Sequence, residues 1–352
     1  MNAKFWPSFK LIAMVKVALK ILHSFRKRTF LDIFEEIKKS SGYYSKVSSA
    51  IQTLLPSSRF SPAVKKQISG IVRALDLEFA RWLQAHAEVL VGADLDYSKV
   101  LCWHSYGVIN KLETAKILVQ DENIEIKRRF VLACKYFFED HAHALWVNIS
   151  DEDKIHMAGQ YCSLACMKFW MTKLYNRDMK DSIEMFHNTT DTESFSENYL
   201  GLRYYFKKLE PRARYQCLSY GLKEGEIHHF DLYLCFAELT INEVRDLLHR
   251  LSASKRVRVM ELFLNFPLQS IFVEVVHQSW IFIPKHSLRN LLHIIFHERV
   301  QKSWYDINYA QLAKELWECS PFPYKSSLRR DKIYEDLILF TVCFTDWSHN
   351  SS

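Results

Sequence analysis

The chain has 352 residues, of which 49% are hydrophobic and 25% charged, enough for a large soluble core and too long for one compact domain to be the default. Eight glycines and eight prolines make 16 of 352 residues, roughly a third of the usual share. Sheets need frequent turns built from Gly, Pro, Asn and Asp, so this scarcity disfavours a sheet-rich fold and points to an all-α chain. The formal charge of +7 is concentrated at one end: residues 1–31 hold seven bases and no acid, and the other 40 bases and 40 acids cancel. A nucleic-acid binder usually spreads a basic stripe over its folded surface, so nucleic acid is not the expected partner.

The first element is cationic. In "FKLIAMVKVALKILHSFRKR" Ile12, Val15, Leu19 and Leu22 fall at helical spacing, with Lys16, Lys20, His23 and Lys27 on the other side, the pattern of an amphipathic helix. Lys16 and Lys20 interrupt the apolar run that a secretory signal needs, and the chain lacks the ~20-residue apolar stretch of a membrane span. The expectation is a first helix that packs its apolar face and shows its bases to water. Contact with an anion or a membrane surface through Lys10, Lys16, Lys20, Arg26, Lys27 and Arg28 is the functional alternative, and a targeting segment is a third reading.

Residues 40–62 form a serine- and proline-rich connection, and Ser61-Pro62 reads as a helix start because proline suits the first turn. Val64, Ile68, Ile71, Leu75, Phe79 and Leu83 then share one helical face. Further helices follow, including one that Ser150 should cap, with Asp153 in its first turn. The segment His187–Asn198 is polar and aperiodic, which marks a loop or linker. Rapidly succeeding helices occupy the rest. The runs "SIFVEVV" and "LILFTVCF" are rich in strand-forming residues, yet their helical surroundings and the missing turn glycines favour helix. The organisation read from these signals is a basic helix over 1–30, a helical region over 31–186, a polar linker over 187–198 and a helical-repeat region over 199–352.

The repeat reading rests on an echo. Tyr204-Tyr205, Leu247-Leu248 and Leu291-Leu292 step by 43 and 44 residues, and each pair precedes a base followed by an apolar or aromatic residue: Arg214-Tyr215, Arg256-Val257 and Arg299-Val300. A period of about 43 residues lies in the range of HEAT- and armadillo-type solenoids, whose stacked helices bury one another's apolar stripes. The expected fold is therefore all-α, with stacked short helices and a solenoid-like C-terminal half. On that reading the repeated base is the solvated edge of a helical joint.

Chemistry-bearing motifs are scarce. The close glycine pair "GLKEG" lacks the Lys-Ser/Thr of a phosphate loop, and neither G-x-S-x-G nor H-E-x-x-H occurs. Glu139, Asp140, His141 and His143 are metal-ligand types, but positions 141 and 143 point apart on a helix, so exposed polar residues at a helix end are expected. His228, His229 and Asp231 would serve proton transfer only within a cleft. Cys162 and Cys166 lie one helical turn apart without a second pair. Arg203–Tyr215 interleaves five bases with four aromatics, a pattern that can stack nucleic-acid bases, although core packing accounts for the aromatics first. The eight cysteines sit mostly in apolar runs, as free buried thiols would.

These features imply an intracellular scaffold or protein–protein interaction protein with an unidentified protein partner, no cofactor and no evident catalytic activity. A cytoplasmic location is expected, with nuclear and mitochondrial locations as alternatives. The alternative function is binding of nucleic acid or an anionic membrane surface through the basic first segment.

Overall fold

A computed structural model describes residues 3–25, 41–55, 60–90, 95–161, 165–175, 199, 203–206, 209–224, 227–329 and 331–345. Among them the protein is all-α: helices follow one another along the chain, and the extended structure amounts to an isolated bridge between Trp103 and Ile109. The polar segment 187–198 lies outside the described residues.

In chain order the helices are α1 (Phe9–Phe25), α2 (Ser41–Leu54), α3 (Pro62–Ala85), α4 (Ala87–Leu90), α5 (Tyr97–Val100), α6 (Lys111–Gln120), α7 (Ile126–Lys135), α8 (Glu139–Asn148), α9 (Asp151–Gln160) and α10 (Ala165–Tyr175). They continue with α11 (Arg203–Phe206), α12 (Pro211–Glu224), α13 (His229–Ala237), α14 (Ile241–Arg250), α15 (Ala253–Leu262), α16 (Gln269–Ser279) and α17 (Ser287–His293). A π-helical segment, Ile294–Val300, runs on from α17, and α18 (Tyr309–Cys319), α19 (Phe322–Leu328) and α20 (Lys332–Thr345) complete the series. Both strand-like runs are helical, in α16 and α20.

The starts of these helices follow from local chemistry. Pro62 opens α3 in the first turn, where its missing N–H leaves no bond unmade. Ser150 accepts from the Asp153 N–H at 3.1 Å to begin α9, and Thr240 with Glu243 closes a reciprocal capping box on α14. Asn110, Ser252 and Asn308 cap α6, α15 and α18 through one side-chain oxygen each, which accepts from the backbone N–H three residues on.

The chain divides into two compact units, each assembled from separated segments. The first comprises Met1–Leu22, Ser41–Leu75 and Phe236–Ser352, and the second His23–Ser40 with Asp76–Cys235. In the second unit α7 is central, flanked by α4, α6, α8 and α10. Phe130 to Lys135 of α7 are all buried, among Phe79, Trp82, Tyr136, Trp146 and Trp170. Lys135 is tolerated there because its stem is covered while its Nζ reaches Glu88 at 2.7 Å.

In the first unit α18 packs on α16, the π segment and α20, and α17 packs on α19 and α20. The first part of α3 seats on the 302–306 turn of this same unit. Lys66 lies over the Tyr305 ring at 3.9 Å, Arg73 lies over Trp304 at 4.2 Å, and the Arg73 Nη1 donates to the Lys302 carbonyl at 2.7 Å.

The echoed segments take different local structures. Leu247 and Leu248 end α14, and Ser252 then caps a new helix that carries Arg256 and Val257. Leu291 and Leu292 instead continue without interruption into the π segment that carries Arg299 and Val300. Arg299 is no solvated edge of a joint: its Nη2 donates to Asn265 Oδ1 at 3.1 Å, and its guanidinium lies over Trp304 at 4.9 Å. The physical difference is the serine cap: in the register of the leucine pairs, Phe296 stands in the second copy where Ser252 stands in the first.

Candidate functional site

A groove that could receive a partner lies in the first unit. The capping box fixes where α14 begins, and from that start Ile241, Val244, Arg245 and Leu248 recur at i, i+3, i+4 and i+7 along one face. Gln278 and Ser279 at the end of α16, with Ile281 and Phe282 of the following turn, form the other wall. The open groove has a volume of about 350 Å³, the lower end of the range in which small ligands and anchoring side chains bind. Its floor is apolar, and Arg245 is the charged residue of its lining.

The turn that presents Ile281 is held from behind. The Tyr324 hydroxyl of α19 lies 2.5 Å from the Trp280 carbonyl and 2.7 Å from that of Ile283, and its ring packs on Trp280 at 4.7 Å. His249 meets Phe282 edge-on at 4.9 Å. With Trp280 and Ile283 buried and fastened, Ile281 between them is left 76% exposed. Isoleucine in that position gains nothing for the fold. Ile241 on the opposite wall is also exposed.

The histidine groups take other roles. His228 and His229 stand at the start of α13 with ring centroids 4.3 Å apart. The structure brings to them two residues that the sequence reading missed, Glu78 of α3 and Lys111 of α6. His228 Nε2 lies 2.8 Å from Glu78 Oε2, the Ile109 N–H donates to Glu78 Oε1 at 3.2 Å, and Lys111 Nζ pairs with Asp231 Oδ2 at 2.7 Å. Burial would raise the Glu78 pKa, but His228 beside it and hydrogen-bonded to it, with His229 and Lys111 nearby, outweighs burial and holds the carboxyl at about 2. A carboxylate so acidic is a weak general base at neutral pH. Glu78 faces His228 and Lys111 faces Asp231, an arrangement of two mated pairs that fits an internal fastening better than a proton relay. The signal for Glu78 was present in the sequence, since Leu75, Phe79 and Trp82 surround it on the apolar side of α3.

A second buried histidine, His86, is held neutral. Its Nδ1 contacts the Trp82 carbonyl at 2.6 Å and its Nε2 the Tyr136 hydroxyl at 2.6 Å. A carbonyl only accepts, so Nδ1 carries the proton and Tyr136 donates to Nε2. Burial pushes this imidazole down to about 3.

The remaining sequence candidates are dispersed. Glu139 and Asp140 open α8, where Glu139 pairs with Lys173 at 2.7 Å and lies 3.9 Å from His143. Among the described residues no group of three His, Cys, Asp or Glu is placed to hold a metal ion. Cys166 is buried beside Cys134, whereas Cys162 lies outside the described residues. In the Arg203–Tyr215 stretch, Arg214 turns back so that its Nε donates to the Phe206 carbonyl at 2.9 Å.

On the first helix Lys10, Lys16 and Lys20 are exposed, and Arg26, Lys27 and Arg28 lie outside the described residues. The buried stripe is Met14, Val15, Ala18, Ile21 and Leu22. Ile12 and Leu19 are only half-buried, so the packed face is rotated from the one the sequence suggests, toward the small Ala18 where close approach is easiest. Among the described residues no helix is long and apolar enough to cross a membrane. No protein-family model, curated protein or solved structure matches the chain.

Proposed function

We propose that the chain is an intracellular protein-interaction protein whose binding surface is the groove between α14 and the turn after α16. One observation carries this reading: Ile281 is held outward, 76% exposed, by a turn whose neighbours are fastened to Tyr324. Exposed isoleucines on both walls and a basic rim call for a partner of matching chemistry. The occupant is a helical or extended protein segment with an apolar anchor for the floor and an acidic residue for Arg245.

A cytoplasmic setting accords with thiols that are free and buried, as at Cys134, Cys166, Cys217 and Cys235. The finer architecture, helix pairs stacked at a period of about 43 residues in the solenoid range, is supported by the burial of all four leucines at the echoed pairs.

The test compares proteins retained from cell extract by the immobilised full chain and by its Ile281→Glu and Arg245→Glu variants. Both changes fall on exposed residues and should leave the thermal melt within about 1 kcal/mol of the parent. The reading expects a discrete partner that both variants lose. Identical retention by all three proteins overturns it.

A further inference from the structure

The outward side of α1 carries more than lysines. Phe9, Ala13, Lys16 and Lys20 follow one another at i, i+4, i+7 and i+11, a single stripe along the helix, and all four are exposed, as is Lys10 beside them. This stripe stands opposite the buried Met14, Val15, Ala18, Ile21 and Leu22. The extended lead-in alternates, with Ala3 and Phe5 buried, Lys4 exposed and Trp6 turned outward. Trp6 is 79% exposed and Phe9 93% exposed.

Exposed lysines are ordinary, but two large aromatics held in water beside them are not. Folding has already used the other side of the helix, and the burial of Phe5 fixes the outward course of Trp6. The face needs a partner that takes positive charge along the helix and aromatic rings at its start.

We propose that this face binds the surface of an anionic membrane. Lys4, Lys10, Lys16 and Lys20 meet lipid headgroups, Trp6 enters the interfacial layer, where amphipathic aromatic rings are favoured, and Phe9 adds an apolar ring at the acyl boundary. The usual in-plane insertion of an amphipathic helix requires a free apolar face, and here that face is buried. Attachment is therefore peripheral, through charge and two anchors. A single-stranded nucleic acid would favour aromatics interleaved with bases along a groove. Here both rings sit at one end, and the lysines run from them over about 15 Å of helix.

The experiment is cosedimentation of the full chain with phosphatidylcholine vesicles, with and without phosphatidylserine, and with polyuridylate as competitor. Binding to the phosphatidylserine vesicles should weaken as salt shortens the Debye length. The triple variant Lys10→Gln, Lys16→Gln, Lys20→Gln should bind about a hundredfold more weakly, at roughly fivefold per lysine. Trp6→Ala and Phe9→Ala should each lose about tenfold. All these residues are exposed, so the melting temperature should not move, and circular dichroism on each variant verifies this. Absence of binding, or binding insensitive to these substitutions, overturns the proposal. So does displacement of the protein from vesicles by polyuridylate at equimolar phosphate, which would make the face a nucleic-acid surface.

Discussion

Gly70 meets Asp306 backbone to backbone: a β-carbon on Gly70 would lie 2.1 Å from the Asp306 nitrogen and 2.3 Å from the Tyr305 carbonyl carbon. The two residues are 236 positions apart in the chain, yet their contact sets how closely α3 seats on the 302–306 turn. Gln67, one position short of a turn before Gly70, adds a hydrogen bond from its Nε2 to the Asp306 carbonyl at 3.3 Å.

Gly70→Ala should therefore destabilise the first unit by about 3 kcal/mol, since backbone atoms cannot yield as a side chain would. Helix propensity alone would stabilise the same variant by about 1 kcal/mol, which makes the sign diagnostic. Urea unfolding decides between them, and an unchanged or raised midpoint contradicts the close approach.

The Asp306 carboxyl is buried, with Oδ2 accepting from Gln269 Nε2 at 2.5 Å, while Oδ1 lacks a hydrogen-bond partner among the described residues. Burial pushes its pKa from 3.8 up to about 6, despite the charge of Arg299 nearby. A folded-state value above the unfolded one means that the folded chain holds the proton more tightly. Stability from this group is fully present below pH 3.8 and is lost as pH rises toward 6, by up to about 3 kcal/mol. Asp306→Asn should accordingly be more stable than the parent at pH 8 and lose that advantage by pH 4. Denaturation midpoints at the two pH values check the crossing.

The second unit should respond to pH in the opposite sense. The His86 pKa is depressed from 6.5 to about 3 and that of Glu78 from 4.5 to about 2. Stability from His86 is therefore present above pH 6.5 and lost on acidification toward pH 3, and that from Glu78 is lost between pH 4.5 and 2. Hydrogen exchange should show α7 amides losing protection between pH 7 and 5, a loss that His86→Phe reduces. Separately, His228→Ala should cost about 2–3 kcal/mol by taking one of the two hydrogen-bond partners from the buried Glu78 carboxylate. Glu78→Gln in that background should recover part of the loss.

Helix content was legible because glycine and proline are scarce, and Ser61-Pro62 and Ser150 start helices where their chemistry requires it. Partners across the fold were not legible. Glu78 reads as one acid in an apolar stripe, and the partners that explain its burial, His228 and the Ile109 N–H, lie 150 and 31 residues on. The face of α1 was read from the largest apolar residues, whereas packing favours the side that includes Ala18. The echo of Leu247-Leu248 in Leu291-Leu292 predicts burial correctly but not helix breaks, because a single serine cap decides those. The groove had no signature, since an outward Ile281 depends on a tyrosine in another helix.

Tyr324→Phe removes the hydroxyl that fastens Trp280 and Ile283 while keeping the ring on Trp280. Loss of that hydrogen bonding should cost about 1 kcal/mol, and amide exchange should accelerate at 280–284 with little change in α13. If the groove works as described, this variant also weakens partner binding without touching a groove-lining residue. Unchanged exchange at the turn would show that the hydroxyl does not hold Ile281 in place.

The central claim is that the groove beside Ile281 receives a protein segment. A photo-crosslinking amino acid placed at position 281 of the full chain, with Val147 of the second unit as an equally exposed apolar control, tests it inside the cell. The account predicts a discrete crosslinked product from position 281 that Arg245→Glu abolishes, and none from position 147. The same products from both positions, or none from position 281, would contradict it.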